Sequence, residues 1–94
     1  MIDAQARVRL APRVRLRFDR HSGRHVLLYP ERGLELNASG ERIAALCVEE
    51  RPVAEIVELL AAGASDTPRD LVERDVLAFL GALEGRGLLE VSHP

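Results

Sequence analysis

Between residues 13 and 36, apolar and polar side chains trade places along the chain. Arg13, Arg15 and Arg17 interleave with Val14, Leu16 and Phe18, the two-residue period of a strand with one wet and one buried face. Asp19-Arg20-His21-Ser22-Gly23 reads as a hairpin loop, with Gly23 supplying a position of positive φ. His25 to Tyr29 is more continuously apolar and predicts a second, more central strand. Pro30-Glu31-Arg32-Gly33 has the composition of a turn, and Leu34-Glu35-Leu36 alternates again as a short third strand. Strands joined by such short loops form an antiparallel meander, which leaves an outer edge open unless something covers it.

After Asn37 the period becomes helical. Asn37 or Ser39 can cap a helix over about 38–47, with Ile43, Leu46 and Cys47 on its apolar side. Pro52 suits the first turn of a second helix with the stripe Val53, Ile56, Val57 and Leu60, ended by Gly63. Thr67 as cap, Pro68 behind it and Asp70 three positions on predict the start of a third. Its stripe is Val72, Val76, Phe79, Leu80 and Leu83, stopped by Gly85 and Gly87. Leu88 to Val91 is expected to return as a short extended tail. The expected class is α+β: a three-stranded antiparallel sheet followed by three helices, winged-helix-like, in one domain over 1–94.

Charge divides this chain more sharply than its net −2 suggests. Residues 1–33 hold eight Arg against three acids, whereas residues 34–94 hold five Arg against twelve acids. A segregation of this kind marks an interaction surface and sets its sign. A hydrophobic content of 47% excludes disorder as the default. The longest uncharged run, Val76 to Leu83, is far short of the roughly 20 residues that span a bilayer, so no membrane segment is expected. The first residues carry no apolar signal region, and a single cysteine suits a reducing compartment; the expected location is cytoplasmic.

Little in the sequence suggests catalysis. Cys47 falls on an apolar stripe and reads as a small core residue, since a nucleophile would need a base that the sequence does not place. His21 and His25 have the spacing of a helical metal pair, but Ser22-Gly23 puts a loop between them, so no metal site is expected. Glu49-Glu50 reads as solvated loop charge. Gly81 and Gly85 form a GxxxG, taken as helix packing and a C-cap. No phosphate-binding glycine motif is present, and neither a cofactor nor an enzymatic activity is expected.

Two binding readings remain. The second and third helices resemble a helix-turn-helix, which would suggest DNA. Residues 69–86 nevertheless carry three Arg against four acids, the wrong sign for a helix meeting phosphates, so no nucleic-acid partner is expected. The other reading is capture of an extended peptide by strand addition at the open sheet edge. On pattern alone, that edge can equally be a short strand blunted by charge.

The order of several segments resembles the PqqD family. These are Pro12-Arg13-Val14-Arg15-Leu16-Arg17-Phe18-Asp19, Leu28-Tyr29-Pro30-Glu31, Leu34-Glu35-Leu36-Asn37-Ala38-Ser39-Gly40, Val53-Ala54-Glu55-Ile56 and Asp75-Val76-Leu77-Ala78-Phe79-Leu80, then Leu83 and Gly87-Leu88-Leu89. The resemblance runs over about residues 10–91, the expected ordered core. It departs at Val48-Glu49-Glu50-Arg51-Pro52, where the family often has Asp-Gly and then Arg-Thr. It implies a peptide chaperone of pyrroloquinoline quinone (PQQ) biosynthesis. Such a chaperone binds the ribosomal precursor peptide PqqA and presents it to the radical SAM enzyme PqqE. Related ribosomal-peptide pathways reuse the same recognition element. The peptide would lie beside Leu34-Glu35-Leu36 and against the third helix at Leu71, Arg74, Asp75 and Ala78. Leu71 is equally suited to core packing, and Arg74 and Asp75 to a solvated helix face. The chain is expected as a monomer or a homodimer, because an open edge can also pair with another copy.

Overall fold

The computed structural model describes residues 2–30 and 32–94. The alternating segment forms strands β2 (Arg15–Asp19), β3 (Arg24–Tyr29) and β4 (Arg32–Glu35), an antiparallel sheet with β3 in the middle. Gly23 closes the hairpin at φ +71°, as expected of the residue without a Cβ. Arg32 and Gly33, expected in the turn Pro30-Glu31-Arg32-Gly33, belong to β4 instead, and Glu31 lies outside the described residues. One face of the sheet is the cross-strand row Leu16, Leu27 and Leu34, turned to the core. Leu27 is fully buried there.

A second three-stranded sheet was not expected. Its centre is β1 (Arg7–Leu10), flanked by β5 (Arg51–Pro52) and by β6 (Leu89–Ser92), the predicted extended tail. Register runs from Arg7 opposite Ser92 to Leu10 opposite Leu89. Val8 is fully buried and Leu10 nearly so, while Arg7 and Arg9 face out and are neutralised by Glu50 and Glu90 at 2.8 and 2.7 Å. The buried core therefore starts at Ala6, before residue 10. Glu50 is not simply solvated, and the departing segment Val48–Pro52 supplies a strand.

Helix α1 spans Ala38–Leu46, capped by Asn37, whose Oδ1 accepts from the Gly40 N–H at 2.8 Å. Helix α2 spans Val53–Ala62, with Pro52 just before it at the N-cap. Helix α3 spans Arg69–Gly85. Thr67 does not cap it: Pro68 holds the N-cap and its carbonyl accepts from Leu71 and Val72. A Cβ on Gly81 or Gly85 would meet no atom within 4 Å, so the GxxxG packs against nothing; Gly85 only ends the helix. Ile56, Val76, Leu80 and Leu83 meet the inner faces of both sheets in one core. Complete burial of such a side chain contributes about 1.5–3 kcal/mol.

Candidate functional site

Antiparallel pairing alternates which residues turn their main-chain groups toward the neighbouring strand. Leu36 N–H donates to His25 O at 3.0 Å, and Leu34 stands opposite Leu27 two positions along the same ladder. The N–H and C=O of Gly33 and Glu35 therefore point away from β3, toward the open side of β4. Leu34 and Leu36 turn their side chains to the core side, Leu36 being buried to 3% exposure.

That side is bounded by the C-terminal half of α3. Leu34, Glu35, Leu36 and Asn37 line an open groove of about 210 Å³ with Phe79, Ala82, Leu83 and Arg86. Its floor is apolar, Arg86 stands at its rim, and Glu35 pairs with Arg24 at 3.6 Å across the sheet. Two contacts hold the walls in register. His25 Nδ1 sits 2.9 Å from Glu41 Oε2, tying β3 to the first turn of α1. The Phe79 ring lies over Gly40, where a Cβ would come within 2.9 Å of its Cε1. Only glycine lets α1 and α3 approach this closely without moving the ring.

Of the expected contact residues, Leu34, Glu35 and Leu36 are thus brought together beside α3. Leu71, Arg74, Asp75 and Ala78 are all exposed but lie toward the N-terminal side of the groove residues of α3. Leu71 is 36% exposed, outside the core. Asp75 borders a separate cavity of about 170 Å³ with Ser39, Arg42, Ile43 and Val72. Phe79, Ala82, Leu83 and Arg86 were missed because Phe79 and Leu83 belong to the core stripe by spacing. A stripe says which face is turned inward but not where along the axis a strand crosses it. At 1.5 Å per residue, Leu71 and Leu83 are about 18 Å apart.

Cys47 is buried in the core, and burial pushes its thiol up to about 12, the opposite of an activated nucleophile. Among the described residues, no group of three or more His, Cys, Asp or Glu side chains could hold a metal ion. No described helix is long and apolar enough to cross a membrane. An exposed strand edge beside an apolar helix face is the arrangement of a binding module that accepts an extended chain.

Comparison with known proteins names the family. Residues 24–89 match the family model for coenzyme PQQ synthesis protein D (PqqD). The chain is 33% identical to PqqA binding protein 2 of Pseudomonas putida, over 96% of this chain and 98% of that protein. It is 35% identical to the PqqA binding protein of Rhodopseudomonas palustris, over 94% and 85%. It is also 34% identical over 82 residues to the bifunctional coenzyme PQQ synthesis protein C/D of Methylorubrum extorquens, of whose length it spans 22%. The chain belongs to the PqqD family.

Two solved structures share the fold. The solution structure of the PqqD part of Methylobacterium extorquens PqqCD is a stand-alone recognition element for ribosomally synthesised, post-translationally modified peptides. It superposes with a TM-score of 0.80 at 31% identity, over 96% of this chain and 95% of that one. TbiB1, solved in complex with the TbiA(beta) leader peptide, gives 0.75 at 32% identity, over 87% and 94%.

Proposed function

We propose that this chain is a peptide chaperone that binds the precursor peptide PqqA and presents it to the radical SAM enzyme PqqE in PQQ biosynthesis. The observation that carries the reading is the outward-facing main chain of Gly33 and Glu35 beside the apolar groove of Leu34, Leu36, Phe79 and Ala82. Relatives named as PqqA binding proteins and a neighbour solved with a leader peptide support it.

The peptide adds as a strand along β4. Two edge residues offer at most four main-chain hydrogen bonds, each contributing a net of about 0.5–1.5 kcal/mol. Ordering a flexible peptide consumes much of that, so apolar side chains seated over Phe79, Ala82 and Leu83 supply the rest. Arg86 attracts an acidic residue of the peptide. A peptide longer than β4 continues along α3 past Ala78 and Asp75 to Arg74 and Leu71. The chain itself carries out no chemical step and holds no cofactor; one cysteine cannot furnish the thiolates of an iron–sulfur cluster. It raises the effective concentration of peptide at the enzyme.

NMR titration with PqqA tests the placement: the amides of Gly33 and Glu35 shift most, followed by Phe79 to Arg86. Glu35→Pro removes an outward N–H that β3 does not use, so it abolishes binding while the fold persists. Shifts confined to β2, with β4 unmoved, refute the reading. The TbiB1 likeness makes recognition of another ribosomal leader peptide the second reading. Tighter calorimetric binding of such a leader than of PqqA selects it.

A further inference from the structure

Strands β1 and β2 treat their arginines differently. In the sheet centred on β1, Arg7 and Arg9 each meet a carboxylate. On β2, Arg15 donates to the carbonyls of Pro12 and Val14 and Arg17 to that of Leu16, and among the described residues neither meets a carboxylate. The two side chains project from the exposed face of β2, about 6.7 Å apart along the strand. Leu28, directly opposite Arg15 on β3, is exposed on the same face. Beside Arg15 and Arg17 a groove of about 360 Å³ opens between β1 and β2, with Val48 in its wall at 60% exposure. Exposed arginines beside exposed apolar side chains suit a protein–protein interface, where arginine is enriched.

Building on the proposed function, we infer that the β2 side of the sheet docks a carboxylate-bearing surface of the peptide-modifying enzyme. β2 and β4 are the two edges of one sheet, separated by β3, so enzyme and peptide occupy opposite edges at once. Presentation requires such a ternary complex. Charge favours an acidic protein over nucleic acid. Two arginines suffice for a local acidic patch, whereas a long polyanion would also run against residues 34–94, which hold twelve acids and five Arg.

The test measures affinity of the full chain for PqqE and, separately, for PqqA. Arg15→Glu/Arg17→Glu is expected to lower PqqE affinity about ten-fold or more at an ionic strength of about 0.15 M and to flatten its salt dependence. PqqA affinity stays unchanged. Val48→Ser, which alters no charge, also weakens PqqE and leaves the salt dependence intact. Unchanged PqqE affinity in both variants overturns the inference. So does tighter wild-type binding to a random-sequence DNA duplex than to PqqE. Equal loss of PqqA and PqqE by variants whose circular dichroism is native overturns it too, because the peptide would then lie on β2. A wild-type chain that binds PqqE but not PqqA sinks the proposed function and leaves this docking surface standing.

Discussion

Gly40→Ala tests the close approach of α1 and α3 that shapes the groove. The added methyl would sit 2.9 Å from Phe79 Cε1, 3.3 Å from its Cζ and 3.1 Å from Asn37 Oδ1, so ring and cap must both move. Replacing glycine within a helix favours folding by at most about 1 kcal/mol. Overpacking costs about 1–3 kcal/mol, and disturbing the Asn37 cap adds about 1 kcal/mol. The expected net loss is about 1–3 kcal/mol, which lowers Tm by roughly 4–24 °C in a domain of this size. Phe79→Leu removes the ring atoms that clash. Adding Gly40→Ala to Phe79→Leu should therefore cost less than adding it to the wild type, a coupling of about 1 kcal/mol. Thermal melts of the four proteins measure it. Equal losses in both backgrounds, or a Gly40→Ala variant as stable as the wild type, would show that this contact does not limit the approach of the helices.

Asn37→Ala removes the cap of α1 and should cost about 1 kcal/mol, seen in urea melts as a lower midpoint at constant slope. Val8→Ala hollows out the face of β1 turned to the core and should cost about 1–3 kcal/mol, although the sequence pattern assigned no strand there. Glu50→Gln breaks an ion pair whose side chains are 44% and 48% exposed, so it should change stability by less than about 1 kcal/mol. Cys47 should resist a thiol reagent at pH 8 until the chain unfolds. Because its folded value is raised from 9.0 to about 12, the unfolded state releases its proton first, and its contribution to stability, full below pH 9, is lost as pH rises toward 12. A Cys47→Ser variant should lose less stability over that window.

Local patterns were legible where the chain folds on its near neighbours. The β2–β3 hairpin follows from alternation around Gly23, and the three helices follow from stripes such as Val53, Ile56 and Val57. Of the second sheet only β6 was expected, as an extended tail. β5 is two residues long, and β1 finds its partners at Pro52 and at Ser92, far along the chain. Arg7-Val8-Arg9-Leu10 alternates as clearly as β2, yet four residues gain meaning only from distant strands. At the site, the strand was readable because Leu34-Glu35-Leu36 alternates at an edge. The partnering end of α3 was not: Phe79 lies between core and groove, and its assignment depends on Gly40, a contact in three dimensions.

The pairing of β1 with β6 has a mechanical consequence. Arg7 stands opposite Ser92 at the end of the ladder nearest both chain ends, and the next pairs are Val8 with Val91 and Arg9 with Glu90. Tension drawn outward through those ends loads the rungs one after another, like a zip, instead of shearing them all together. Such a sheet yields at low force. The hairpins carrying β4 lie inside the chain and off that line of force, so they are loaded only after β1 and β6 have parted.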